Sequence, residues 1–223
     1  MVVYMKRRGF VVFLSLFILI ILAGLFLISS NEKLEKPDPE IYKGLDDFKT
    51  KKTAQLYKSV LLSANKKASL EINEQELNDL IAIAIQNYEK SADAIEISGY
   101  STKINKENIV IKLDSKLINL IPTQYALEIK PSIVDNRINF VVTGFKVGKL
   151  PIGSRVILKQ LQTSDKIDYY VDIQQQSIVI ENRYPKQMIF NDIKLEQGKL
   201  SMEITMSVKN LKDVMEIIGT VLP

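Results

Sequence analysis

Residues 109–142 read IVIKLDSKLINLIPTQYALEIKPSIVDNRINFVV. Ile109, Ile111 and Leu113 alternate with Val110, Lys112 and Asp114; Tyr125, Leu127 and Ile129 alternate with Ala126, Glu128 and Lys130. Asp135-Asn136-Arg137 then turns the chain, and Ile138, Phe140 and Val142 return. Successive side chains of a strand point to opposite faces, so a period of two predicts strands with one apolar and one polar face. Short turns between them make an antiparallel meander.

Outward from this stretch the pattern continues. A strand beginning at Ile95-Glu96-Ile97 runs toward Ile104, and Asn105-Lys106-Glu107-Asn108 supplies a hairpin loop. Downstream the meander breaks at residues 144–153, and Pro151 is expected to open a helix over 151–161, with Ile152, Val156, Leu158 and Leu161 apolar. Strands resume at 167–173 and 177–181 across Gln174-Gln175-Gln176. The last hairpin, 188–195 and 200–208, turns on Gln197-Gly198-Lys199, and a short helix over 211–218 closes the chain.

Before the meander stands NEQELNDLIAIAIQNYEK, residues 73–90. Asn73 can accept a hydrogen bond from the first turn, and Glu76 holds the capping-box position. Leu77, Leu80, Ile81, Ala84, Ile85 and Tyr88 share one face, which Ala82 and Ile83 widen. A helix this apolar around its circumference calls for wrapping by its surroundings. The expected fold class is therefore α+β, an antiparallel β-meander wrapped around a helix.

Residues 9–28, GFVVFLSLFILIILAGLFLI, carry no charge, and Lys6, Arg7 and Arg8 precede them. As a helix at ~1.5 Å per residue the run is ~30 Å long, the thickness of a bilayer's hydrocarbon core. The positive-inside rule puts residues 1–8 in the cytoplasm and the rest outside, giving a single-pass protein of the cell membrane. The rival, a cleaved signal peptide, has a shorter apolar region and a small-residue site, which LISSNEK lacks. Residues 29–40, with Pro37 and Pro39, read as a linker, and 41–223 as the extracytoplasmic domain. Its first segment, residues 41–68, is expected to be a lysine-rich helix with Leu45, Phe48, Leu56, Val60 and Leu61 as an imperfect apolar stripe. Its lysines read either as a solvated face or as contacts to anionic head groups.

Composition removes whole classes of chemistry. The chain has no Cys and no His, so disulfides, thiolate sites, imidazole ligands and His-dependent triads are excluded. Its net charge of +4 owes three charges to the N-terminal cluster, which leaves the remainder near neutral. That argues against a nucleic-acid partner. Asp46-Asp47 is a sequential pair pointing in two directions, and Asp93, Asp114, Asp165, Asp168 and Asp192 lack cation-site spacing. Ser154 precedes Lys159 by five residues, which does not set the two side by side on a helix. No catalytic set, metal site or cofactor is expected.

Two short motifs carry a resemblance. Leu77-Asn78 in NEQELNDLI, and VGKLPIGSRVILKQL at 147–161, resemble the YpmS-like family, single-anchor extracytoplasmic proteins of Gram-positive bacteria. Tyr169 or Tyr170 stands where that family carries an aromatic residue after the second helix. The order of elements is also similar, at the level of fold, to TULIP-type modules, which wrap a curved sheet around a helix and leave an apolar groove for lipid tails.

The expected function is thus non-enzymatic binding of membrane lipid, or of a lipid-linked envelope precursor, in an apolar groove. Its candidate lining is Leu77, Ile81, Ile85 and Tyr88 from the helix and Ile111, Leu127, Phe140 and Val142 from the meander. The final hairpin adds Met202, Ile204 and Met206, and Met adapts to variable ligands. The same residues also suit a closed core. In that case the chain is a scaffold docking a cell-envelope protein partner, with Lys149, Leu150 and Pro151 as a candidate contact loop.

Overall fold

The computed structural model describes residues 27, 34, 36, 45–63, 66–89, 96–117, 121–162, 169–180 and 188–206. Helix α1 (Leu45–Leu62) leads to strand β1 (Lys67–Asn73) and helix α2 (Glu74–Glu89). Strands β2 (Ile97–Ile104), β3 (Ile109–Leu117), β4 (Ile121–Val134) and β5 (Arg137–Val147) follow as a meander. A two-residue strand β6 (Leu150–Pro151) precedes helix α3 (Ser154–Gln162). Strands β7 (Tyr169–Asp172), β8 (Ser177–Ile180), β9 (Met188–Glu196) and β10 (Lys199–Met206) complete the described chain.

The α+β class and antiparallel pairing agree with the sequence, but the strands form two sheets. One has seven strands in the order β2-β3-β4-β5-β8-β7, with β6 pairing the end of β5. The other has three, β1-β10-β9. The final hairpin therefore leaves the meander and pairs with β1, a strand whose first two residues, Lys67 and Ala68, fall in the segment expected to be helical. The signal was present: Ala68, Leu70 and Ile72 alternate with Ser69, Glu71 and Asn73, and Ala68 lies opposite Ile204. The second helix also begins later than expected. Pro151 pairs with Lys146 in β6, Ile152 N–H donates to the Phe145 carbonyl at 2.8 Å, and Ser154 is the first helical residue.

The turns follow residue chemistry. Asp135 and Asn136 join β4 to β5 with φ of 51° and 60°, the left-handed pair a two-residue hairpin requires. The Asn136 side chain then accepts from Phe190 N–H at 2.7 Å and donates to the Met188 carbonyl at 3.2 Å. It thereby covers the β9 edge of the smaller sheet. At the other end of that sheet Gly198, with φ of 75°, donates to the Ile104 carbonyl at 2.8 Å and accepts from Glu74 N–H at 3.0 Å. These two points stitch the sheets together.

Three apolar clusters fill the fold. Leu56 of α1 packs on Ala68, Met188, Phe190, Ile204 and Met206 of the smaller sheet. Ile104, Ile109, Ile129, Val142 and Val171 of the larger sheet gather around Leu158 of α3. Ala82 and Ile85 of α2 pack on Tyr100. Among the described residues no helix is long and apolar enough to cross a membrane. The expected span, residues 9–28, lies outside the described residues except for Leu27, and the expected closing helix at 211–218 lies outside them too.

Candidate functional site: a half-covered apolar sheet face

Helix α2 is built as expected. Asn73 Oδ1 accepts from Glu76 N–H at 2.9 Å, and Glu76 Oε2 accepts from Asn73 N–H at 3.1 Å. Lys52 Nζ joins the same carboxylate at 2.8 Å and donates to the Glu71 carbonyl. Burial alone would raise the Glu76 carboxyl, but Lys52 and the Asn73 N–H hold it below its ordinary value. Glu74 and Asn78, one turn apart, do something their sequence did not announce. Glu74 Oε2 accepts from Ile104 N–H at 3.0 Å and Asn78 Oδ1 from Thr102 N–H at 2.6 Å. Two carboxyl or amide oxygens one helical turn apart thus satisfy alternate amides of β2, the edge strand. Ala82, fully buried one turn further along, lets the helix lie close on Tyr100.

Behind this edge the larger sheet presents its apolar face in three cross-strand rows. The first is Ile104–Ile109–Ile129–Val142. All four are at most 8% exposed, beneath Leu158 of α3. The next two are Thr102–Ile111–Leu127–Phe145 and Tyr100–Leu113–Tyr125–Val147. Their edge members Thr102 and Tyr100 are buried under α2, yet Ile111, Leu113, Tyr125, Leu127, Phe145 and Val147 are only half-buried. β3 and β4 are interior strands, so this incomplete cover is not an edge effect. Tyr125 stacks on Phe145 with centroids 6.4 Å apart, and burial pushes its hydroxyl pKa up.

The candidate groove residues divide over the three clusters. Leu77, Ile111, Leu127 and Phe140 are half-buried around Val142 in the cluster under α3. Ile81 and Ile85 belong with Tyr100 and flank the open rows. Met202, Ile204 and Met206 are elsewhere: they pack with α1 on the smaller sheet, with Ile204 and Met206 fully buried. The alternation that exposed this ladder reported which face is apolar, and α1 turns out to cover it. The side chain of Tyr88 lies outside the described residues. Phe145 and Val147 were missed because a bulge intervenes. The β4–β5 register shifts between Glu128 and Ile129, so the phase set by Ile138, Phe140 and Val142 changes, and Phe145 and Val147 return to the apolar side.

The contact loop is a tight turn. Gly148, with φ of 60°, donates to the Gln124 carbonyl at 2.7 Å. Lys149 N–H donates to the Leu27 carbonyl at 2.7 Å, while Leu150 and Pro151 form β6. At the β2–β3 edge of the larger sheet a cleft of about 330 Å³ is lined by Glu74, Ser101, Thr102, Lys103, Val110 and Lys112. No group of three Asp or Glu residues that would hold a metal occurs among the described residues. Ser154 Oγ donates to Gln176 Oε1, and Lys159 is exposed.

Comparison with known proteins finds no matching family model, no matching curated protein and no matching solved structure.

Proposed function

We propose that the chain is a single-pass membrane protein whose extracytoplasmic α+β domain holds the acyl chains of a membrane lipid or lipid-linked precursor, without catalysis. The observation that carries this reading is the pair of half-covered apolar rows on interior strands. A closed core would bury Ile111 and Leu127 as fully as their neighbours Ile109 and Ile129. A tail laid across these rows removes water from both surfaces, worth ~0.8 kcal/mol per CH₂. The finer likeness to a TULIP-type module is part of the same proposal. It is supported by the place of α2, whose first turn is bonded to Gly198 of one sheet's hairpin and to Ile104 of the other. The YpmS-like resemblance supports the anchored, envelope-facing arrangement.

Retained lipid tests it. The full chain, washed extensively in a lipid-free detergent, should keep phospholipid at close to one per chain. The double substitution Ile111→Gln, Leu127→Gln should lower that at least fivefold while circular dichroism stays unchanged. Equal retention by both proteins would remove the groove and leave docking of an envelope protein as the role of the domain.

A further inference from the structure

Leu27 is the penultimate residue of the apolar run 9–28, and its carbonyl is bonded to Lys149 N–H at 2.7 Å. The Gly148–Lys149 turn sits at one end of the larger sheet. Beside it lies the outermost half-covered row, since Val147 pairs with Tyr125 and Gly148 bonds to Gln124. We infer that this end of the domain rests on the outer leaflet, so the open rows begin at the bilayer surface and draw acyl chains from it rather than from solution. The inference depends on the anchored reading above and adds to it an orientation and a source for the ligand.

The geometry leaves little freedom. If residues 9–28 span the hydrocarbon core, Leu27 is at its outer boundary, and a single hydrogen bond holds Lys149 at the same depth. Lys116 and Lys146 are at this end too, in ion pairs with Glu96 and Glu128 at 3.0 Å each. Lysine stems at this depth can lie along apolar surface with their ammonium groups among the head groups. β4 runs from Ile121 at this end to Val134 at the other, 14 residues, or roughly 40 Å at ~3.3 Å per residue. Val134, 49% exposed, therefore stands clear of the membrane.

The chain has no cysteine, so single-cysteine variants take one fluorescent label each. Lys149→Cys, Lys116→Cys and Val134→Cys, in the full chain, go into phosphatidylcholine vesicles carrying a head-group nitroxide lipid. Quenching at 149 and 116 should exceed that at 134 at least threefold. Two probes mark the near end, so the comparison survives if one variant does not fold. Equal quenching, or stronger quenching at 134, in protein that floats with the vesicles overturns the inference alone. Protein that fails to float overturns the anchor and the inference with it.

Discussion

Asn78 and Glu74 show how much one oxygen atom can decide. Each satisfies an amide of the edge strand β2 that would otherwise be buried and unpaired. Asn78→Ala is expected to cost about 1–3 kcal/mol in denaturant unfolding. Asn78→Asp, which keeps an acceptor at that place, should cost less, and amide exchange at Thr102 should rise only in the alanine variant. Among the described residues the Thr102 hydroxyl itself is buried with no partner. Thr102→Val should therefore raise stability by about 1 kcal/mol. Glu76 gives a pH dependence. Its folded pKa lies below the unfolded value, so the folded protein binds fewer protons there in mild acid. The stabilisation is complete above the ordinary glutamate value of about 4.3 and is lost as pH falls through the lower, folded value. Glu76→Gln should lower stability at pH 7 by about 1 kcal/mol and flatten the acid limb of a stability–pH profile.

Elements were legible where one local rule governed them. The capping box at Asn73 and Glu76, the hairpin loops at 105–108 and 174–176, and the period-two strands around 109–142 follow from nearest-neighbour chemistry, and they stand where the residues put them. What escaped needed knowledge of a distant partner. β1 is seven residues long and follows a lysine-rich helix closely, so its first two residues read as the end of that helix and the rest as a link to the next. Its partner β10 lies more than 120 residues away, and no local signal names it. The β5 bulge likewise has no local marker beyond Gly144, and it decides which face Phe145 meets. The open rows were therefore visible only in part, through Ile111 and Leu127. Helix α3 shuts the adjacent row with Leu158, which is fully buried. Leu158→Ala should cost about 2–5 kcal/mol in thermal or chemical unfolding. The loss should be larger than for Leu127→Ala, whose side chain already keeps partial contact with solvent.

The whole molecule joins an apolar N-terminal run to a two-sheet domain. Its smaller sheet is closed by α1, and its larger sheet is closed only in part, by α2 along an edge and α3 across the buried row. The sequence alone set the apolar run apart from the domain, because a charge-free run of 20 residues reads as a membrane span. It did not separate groove from core, since both need the same apolar alternation. Coverage is the property that divides them, and coverage is set by how α2 and α3 dock on a sheet whose strands are far apart in the chain. The account therefore stands or falls on what touches Ile111, Leu127 and Phe145 in a bilayer. A phospholipid with a photoactivatable group near its acyl terminus, incorporated with the full-length chain and irradiated, reads this by peptide mapping. Adducts on the peptides holding residues 111–113, 125–127 and 145–147, in addition to the N-terminal run, are expected. Adducts confined to residues 9–28 would contradict the groove and leave a closed domain on a membrane anchor.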